Sequence, residues 1–221
     1  MTDFHSKSLI CDLDGTLFES SSSVKSSLIH ALSQNNLPVP ATFASRLIGP
    51  PLHELISRSI PNPDPEIIEQ VKISFAAHYD QNCIYECSLY PSVTESLRRL
   101  KDLGLTIHIC TNKRQKPTNL LLDYFDLTPL FDLVVCSDTL KKPFSSKGDA
   151  LKYLLKLASQ NPFYSFYLGD TYSDFLACTE CSITFLWASW GYYEVEKIEE
   201  LSATRKLTNF SDIFTILQDL H

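Results

Sequence analysis

The stretch SLICDLDGTL, residues 8–17, decides the fold of this chain. Its first four residues form a short, mostly apolar run, which ends abruptly in the turn-forming sequence from Asp12 to Thr16. A run of this kind, bounded by turn residues, is typical of a buried strand in a parallel sheet. Functional side chains of such sheets gather at the carboxyl ends of the strands. We therefore expect Asp12 and Asp14 to belong to a functional site.

Strand-like and helix-like segments alternate along the chain after residue 89. The predicted strands are Leu105–Cys110, Leu133–Cys136, Phe163–Leu168 and Ile183–Trp187, and the predicted helices are Val93–Leu103, Pro117–Phe125, Gly148–Ala158, Ser173–Cys178 and Phe210–Leu220. This alternation predicts an α/β fold, in which helices cover both faces of a parallel sheet. The chain has no Gly-x-Gly-x-x-Gly motif, so the fingerprint of a dinucleotide-binding site is absent.

A helical insert interrupts this pattern directly after the first strand. Between residues 18 and 88 the apolar spacing is helical, with breaks at prolines, and the segments Val24–Leu32, Leu52–Ile60 and Glu66–His78 are predicted helices. The predicted domains are therefore a catalytic core made of residues 1–17 and 89–221, and an all-helical cap made of residues 18–88.

Composition limits the partners of this chain of 221 residues. Lysine and arginine number 19 against 26 acidic residues, which gives a formal net charge of −7. An acidic chain without a basic run is a poor binder of nucleic acid or of an anionic membrane. We see no secretory signal at the amino terminus, and no apolar run approaches the roughly 18 residues of a membrane span. We expect a cytoplasmic monomer or homodimer.

Chemically active side chains follow the predicted strands one after another. They are Asp12, Asp14, Thr111, Asn112, Lys142, Lys147, Asp170 and Asp174. Mg²⁺ prefers hard oxygen ligands, which Asp12 and Asp170 can supply. A carboxylate beside the metal can attack phosphorus once the phosphoryl charge is neutralised, and Asp14 can serve as general acid and base. The set predicts chemistry on a metal-bound phosphate.

Three motifs resemble the ordered signatures of the haloacid dehalogenase superfamily of phosphatases. They are DLDGTL at residues 12–17, TNK at 111–113 and GDTYSD at 169–174. LIGPPL at 47–52, LYPSV at 89–93 and WGY at 190–192 resemble its helical-capped branch, typified by phosphoglycolate phosphatases. The resemblance implies a Rossmann-like core, a mobile four-helix-type cap, Mg²⁺ and an aspartyl-phosphate intermediate.

The same resemblance implies a role for each matching residue. Asp12 is the nucleophile and a metal ligand, and Asp14 is the acid/base and binds the metal through its backbone carbonyl. Thr111 and Asn112 hold the transferring phosphoryl group, while Asp170 binds the metal and Asp174 orders the metal shell. The chain departs from the branch at Glu19, where Asp is usual, at Ser92, where Gly is usual, and at Cys181-Ser182, where Ala-Gly is common.

The phosphate-binding catalytic lysine has two candidates. Lys142 precedes Pro143, as in the Lys-Pro step of the family, but lies 28 positions before Asp170. Lys147 lies 23 positions before Asp170, at a predicted helix start with Ser145 or Ser146 as N-cap. The shorter spacing suits a single intervening helix and strand, so it favours Lys147, and Lys142 remains the alternative.

The cap offers cationic candidates for substrate recognition. Arg46, His53 and Arg58 flank the turn at residues 49–51, and Arg46 is the candidate that we select to contact the substrate. The predicted function is Mg²⁺-dependent hydrolysis of a small phosphorylated metabolite, with phosphoglycolate suggested by the branch. A phosphosugar mutase of the same fold and a phospho-accepting regulatory module are the alternatives.

Overall fold

A six-stranded parallel sheet forms the centre of the protein in the computed structural model, which describes residues 7–39, 50–192 and 204–219. The strands are β1 (Ser8–Cys11), β2 (Phe18–Glu19), β3 (Ser88–Leu89), β4 (Thr106–Cys110), β5 (Leu133–Val135), β6 (Ser165–Gly169), β7 (Thr184–Ala188) and β8 (Arg205–Leu207). The order in the sheet is β5-β4-β1-β6-β7-β8, while β2 and β3 form a separate ribbon. The predicted α/β class is confirmed.

The first strand lies in the interior of the sheet, between the two strands that carry the other motifs. In β1, Ser8 pairs with Thr106 of β4 on one side and with Ser165 of β6 on the other. All three strands run in the same direction, so their carboxyl ends meet at one edge. The loops that follow β1, β4 and β6 are thereby brought together.

The helices that the structure describes either cover the two faces of the sheet or build the insert. They are α1 (Ser21–Gln34), α2 (Leu52–Ser59), α3 (Pro65–His78), α4 (Val93–Asp102), α5 (Gln115–Tyr124), α6 (Lys147–Ala158), α7 (Tyr172–Cys181) and α8 (Ile213–Asp219). Side chains alternate across a strand, so Leu9 belongs to one buried apolar cluster and Ile10 to the other. The cluster around Ile10 includes the apolar faces of α6 and α7. The cluster around Leu9 includes those of α4, α5 and α8 and extends into the helical insert.

The insert is built on the packing of α1 and α2 against α3. Helix α3 continues as a π-helical turn over Tyr79–Cys83, followed by a 3₁₀ turn over Ile84–Glu86. The strands that lead into and out of the insert lie side by side, because β2 pairs with β3 in antiparallel register, Phe18 against Leu89. No helix in the described ranges combines the length and the apolar character that a bilayer crossing needs.

Two predicted elements open with a 3₁₀ turn that the prediction did not contain. The expected strand at Phe163–Leu168 starts only at Ser165, because Pro162–Tyr164 is a 3₁₀ turn whose Asn161 side chain accepts a hydrogen bond from the backbone N–H of Phe163. The expected helix from Phe210 likewise opens with a 3₁₀ turn over Phe210–Asp212. In both places a side-chain cap at a turn replaces regular structure, which apolar periodicity does not reveal.

Candidate active site

The loop after β1 turns tightly around Gly15. The backbone N–H groups of Leu17 and Phe18 both donate to the carbonyl of Leu13 at 2.9 Å, and Gly15 donates to the carbonyl of Phe18 at 2.8 Å. Gly15 has a φ of +83°, which lies in the left-handed region that glycine adopts without a steric penalty. This turn leaves Asp12 and Asp14 at the carboxyl end of β1, as the sequence predicts.

Three buried carboxylates converge beside this loop. Asp12, Asp170 and Asp174 each offer an oxygen, and these oxygens all lie within 4.8 Å of one another. The exposed fractions of the three residues are 4%, 0% and 0%. The ammonium of Lys147 is 2.9 Å from Asp12 Oδ1 and also forms an ion pair with Asp174. Together these four side chains form what we call the acidic cluster.

Hydrogen bonds fix Asp170 in its orientation. Its Oδ1 accepts from the hydroxyl of Thr16 at 3.1 Å, and its Oδ2 accepts from the backbone N–H of Tyr192 at 2.7 Å. Trp190 Nε1 donates to the Thr16 carbonyl at 3.1 Å, so the segment after β7 contacts both the loop that follows β1 and the carboxylate that follows β6. The sequence motif at residues 190–192 thus lies directly against the acidic cluster.

Helix α7 begins on a capping box that fixes Asp174. Thr171 is the N-cap: its side chain accepts from the backbone N–H of Asp174, and Asp174 in turn accepts from the Thr171 backbone N–H at 3.0 Å. The hydroxyl of buried Tyr167 donates to the other carboxylate oxygen of Asp174 at 3.2 Å. A capping box satisfies two otherwise unpaired N–H groups, so the helix start and the carboxylate position are determined together.

The charge of the acidic cluster is unbalanced, since three carboxylates face one ammonium. Burial raises the pKa of Asp12 to about 6 against the opposing attraction of Lys147. Burial and the negative charge of Asp174 hold the pKa of Asp170 well above its usual range. The donors are all hard oxygens and the excess formal charge is two negative, which fits a divalent cation such as Mg²⁺.

The structure separates the two candidate lysines. Lys147 is the first residue of α6, whose N-cap Ser146 accepts from the backbone N–H of Asp149 at 3.1 Å. It is 8% exposed and contacts two members of the acidic cluster. Lys142 is exposed, in the loop before α6. The geometry therefore favours Lys147 for contact with a phosphate at Asp12.

The carboxylate of Asp14 lies outside the acidic cluster and has its own partners. Both of its oxygens accept from the ammonium of Lys113, at 2.9 and 3.0 Å, and Oδ1 also accepts from the hydroxyl of Ser20 at 2.7 Å. Lys113 belongs to the TNK motif, but no role is predicted for it from the sequence. Its position directly after a strand end is the signal that could have identified it as a site residue.

Thr111 and Asn112 follow the end of β4 beside these groups. Thr111 is buried, donates its backbone N–H to the Val135 carbonyl at 3.0 Å, and accepts at Oγ1 from the backbone N–H of Lys113 at 3.2 Å. A cleft of about 630 Å³, continuous with solvent, opens here between the core and the insert. Its lining includes Asp12, Asp14, Thr111, Asn112, Lys113, Arg114 and Pro117 of the core, and Val24, Pro50, Leu52, Leu55, Phe75 and Tyr79 of the insert.

The cationic cap candidates do not line the described part of this cleft. Arg46 lies outside the described residues. His53 is exposed on α2, and Arg58 is exposed at the end of the same helix, where it pairs with Glu54 at 3.4 Å. A connection that sequence reasoning missed joins Arg114 of the core to Asp80 of the insert, with 2.7 Å between their charged groups.

Comparisons with known proteins match this chain to a family and a fold. Residues 9–188 match the family described as haloacid dehalogenase-like hydrolase. A phosphoglycolate phosphatase of Agrobacterium fabrum is 30% identical, over 86% of this chain and 83% of that protein. A tyrosine-protein kinase, PtkA of Mycobacterium bovis, is 27% identical, over 89% of this chain and 66% of that protein. A predicted phosphatase of Clostridium acetobutylicum has the same fold, with a TM-score of 0.87 at 21% identity over 97% of this chain and 99% of that one.

Proposed function

The chain belongs to the haloacid dehalogenase-like hydrolase family, and on that premise we propose that it hydrolyses a small phosphomonoester through an aspartyl-phosphate on Asp12, with Mg²⁺ as cofactor. It is a phosphoric monoester hydrolase similar to phosphoglycolate phosphatases. The observation that carries the finer proposal is the acidic cluster, in which three buried carboxylates and one buried ammonium meet at the carboxyl end of β1.

The residues that would hold the cation are Asp12 and Asp170 through their carboxylates and Asp14 through its backbone carbonyl. Asp174 would help to fix the positions of these ligands, since its own carboxylate is held by the capping box. When bound, the cation would neutralise charge on the phosphoryl oxygens. Lys147, Thr111 and Asn112 would hold the same phosphoryl group from the other strand ends.

The first chemical step transfers the phosphoryl group to the protein. A carboxylate oxygen of Asp12 forms a bond to phosphorus as the bond from phosphorus to the ester oxygen breaks. The protonated carboxyl of Asp14 gives its proton to the departing oxygen, which leaves as an alcohol. Asp14 is then a carboxylate beside Lys113 and Ser20.

The second step returns the protein to its starting state. Asp14 accepts a proton from a water molecule, whose oxygen attacks the phosphorus of the aspartyl-phosphate. The bond between phosphorus and the Asp12 oxygen breaks, so inorganic phosphate and a free Asp12 carboxylate result. One carboxylate thus serves as acid in the first step and as base in the second.

We propose residues 18–88 as the cap that selects the substrate, with Arg46 as its contact to an anionic group of the substrate. The cleft between insert and core supports this proposal, since residues of both line it. A relative that acts as a phosphoglycolate phosphatase makes phosphoglycolate the first substrate to test.

The deciding experiment is a phosphate-release assay with Mg²⁺ against a panel of small phosphate esters. Asp12→Asn is expected to lose activity by about a thousandfold or more, because the nucleophile is gone. Lys147→Met should lose activity by about a hundredfold, while Lys142→Met, the matched control, stays near the parent.

Several outcomes would change the proposal. Equal phosphate release by the parent and Asp12→Asn, or none by either across the panel, would contradict hydrolysis. A large loss in Lys142→Met with little in Lys147→Met would reverse the assignment of the lysine. A phosphoryl group that moves within a sugar phosphate without release would identify a mutase, and a long-lived phosphoprotein would identify a regulatory module.

A further inference from the structure

One buried cation of the cleft has no role in the steps described above. Lys113 follows β4, its side chain is 6% exposed, and its ammonium makes three contacts. Two are with the carboxylate oxygens of Asp14, and the third is with the hydroxyl of Tyr79 at 2.8 Å. Asp14 belongs to the core, whereas Tyr79 lies on the π-helical turn of the insert. One ammonium therefore joins the acid/base residue to the insert.

The contacts of Lys113 use the full donor capacity of its side chain. A lysine ammonium carries three N–H donors, and three acceptor atoms surround it here. Burial opposes the charged form of Lys113, but Asp14 beside it holds the pKa above its usual value. A buried ammonium that lost one partner would leave an unpaired donor, so the three groups are bound as a unit.

The two partners of Lys113 play different parts: Asp14 is oriented by Lys113, and Tyr79 offers Lys113 an acceptor at a fixed place on the insert. A carboxylate that is held through both oxygens cannot rotate without breaking a contact, so Lys113 determines the direction in which Asp14 points. Tyr79 is 2% exposed and its ring stacks on Phe75 of α3, with 5.5 Å between ring centroids. The hydroxyl that Lys113 contacts thus has a fixed place on the insert. A displaced insert would remove that acceptor from Lys113.

We propose that Lys113 is a positioning residue, which holds the Asp14 carboxylate for activation of the water that hydrolyses the aspartyl-phosphate, and that Tyr79 makes this positioning depend on the docked insert. The proposal rests on the proposed function, since it assumes the aspartyl-phosphate on Asp12. It assigns Lys113 no contact with substrate.

A second set of contacts between the core and the insert, formed by ion pairs, provides the control. Arg114 and Lys116 both pair with Asp80 of the insert, at 2.7 and 3.4 Å, and neither ion pair includes Asp14. The side chain of Lys116 is 69% exposed. Lys116→Met thus makes the same chemical change as Lys113→Met and also removes a core-to-insert ion pair, but it leaves the Asp14 carboxylate held.

The test is rapid-mixing kinetics with p-nitrophenyl phosphate, whose leaving group departs without a proton. Here kcat/KM reports transfer to Asp12, and the steady rate reports hydrolysis of the aspartyl-phosphate once that step is limiting. We expect Lys113→Met to release about one equivalent of p-nitrophenol in a burst and then to turn over about a hundredfold more slowly, with kcat and KM falling together. Tyr79→Phe should also show a burst, followed by turnover about tenfold slower than that of the parent, with kcat and KM falling together. Lys116→Met should match the parent.

The outcomes separate the two proposals. If kcat/KM and kcat fall equally in Lys113→Met and Tyr79→Phe without a burst, or if neither changes, the positioning role is wrong. If the parent protein releases neither p-nitrophenol nor phosphate, the proposed function fails first. Circular dichroism spectra of each variant show whether it is folded, and Tyr79→Phe, which removes only a hydroxyl, decides the matter if Lys113→Met does not fold.

Discussion

At the scale of single residues, the acidic cluster depends on the absence of side chains at the glycines around it. A Cβ on Gly191 would overlap the Cβ of Asp170 and the carbonyl oxygen of Gly15. Neither atom belongs to a flexible side-chain end, so the added methyl group would displace Asp170 from its hydrogen bonds to Thr16 and Tyr192. Glycine at residue 191 is therefore a requirement of the site.

Gly191→Ala is expected to lower kcat/KM by about ten- to a hundredfold and to raise the Mg²⁺ concentration that gives half-maximal activity. The reason is the displaced Asp170 carboxylate. Titration of activity with Mg²⁺ measures both effects.

The chain offers a matched control at Gly148. A Cβ there would overlap the exposed end of the Glu180 side chain, which can move aside, and would lie at an ordinary contact distance of 3.5 Å from Ser146 Oγ; alanine also suits the first turn of α6. Gly148→Ala should leave the Mg²⁺ titration unchanged, and an equal shift in both variants would contradict the steric explanation.

At the scale of elements, two serines occupy backbone positions where the resemblance leads one to expect glycine. Ser92 precedes α4 with a φ of +65°, and Ser182 ends α7 with a φ of +55°. Both positions thus have the left-handed geometry without the residue that adopts it at least cost. A residue with a Cβ pays roughly 1 kcal/mol in this conformation.

Ser182→Gly should therefore raise the free energy of unfolding by about 0.5–1 kcal/mol, since Ser182 is exposed and is the C-cap of α7. Urea denaturation followed by circular dichroism measures the change. Ser173→Gly, in the first turn of the same helix, should lower the free energy of unfolding by a similar amount or more, because glycine adds backbone entropy to the unfolded chain and removes the contact of the Ser173 hydroxyl with Thr171 Oγ1 at 3.2 Å. A loss of stability in Ser182→Gly would refute the strain argument.

The sequence predicts those elements whose signals are local and long enough to show a period. Strands β1, β4, β5, β6 and β7, and the strand-end motifs, belong to that group. Strand β8 was missed because it has three residues, of which Arg205 and Lys206 are exposed and only Leu207 is buried. The ribbon of β2 and β3 has two residues a strand, too few for any alternation to be visible.

Contacts between the core and the insert were beyond sequence reasoning for a different reason. Arg114 and Asp80 are 34 positions apart and no spacing rule connects them, whereas Lys113 and Asp14 follow the neighbouring parallel strands β4 and β1. The convergence of Asp12, Asp170 and Lys147 could be predicted, because parallel strands bring their ends to one edge. Contacts between the core and the insert depend on how the insert packs on the core, and no short motif encodes that packing.

At the scale of the whole molecule, the acidic cluster lowers the stability of the metal-free protein. Burial raises the pKa of Asp12 from 3.8 to about 6, so the folded state binds this proton more tightly than the unfolded state. The stabilisation that comes from this tighter proton binding is fully present below 3.8, the pKa of Asp12 in the unfolded chain. It is lost as the pH rises through 6. At neutral pH the loss is roughly 3 kcal/mol.

In EDTA, Asp12→Asn should therefore be more stable than the parent at pH 7, and the difference should shrink as the pH falls from 6 to 4. Urea denaturation at several pH values measures it. Mg²⁺ should raise the melting temperature of the parent at pH 7 and that of Asp170→Asn much less. A difference between Asp12→Asn and the parent that does not vary with pH would contradict this account.

The order of the sheet also has a consequence for how the protein is made. Asp12 directly follows β1, yet Ser165 of β6, which pairs with Ser8 of β1, is synthesised 157 residues after Ser8. At ordinary ribosomal speed, that interval lasts roughly 8 to 30 seconds. During that time the growing chain contains Asp12 but not yet Asp170, which follows β6. A nascent chain that does not yet include Asp170 lacks one carboxylate of the acidic cluster, so under the proposed function it cannot yet hold the cation.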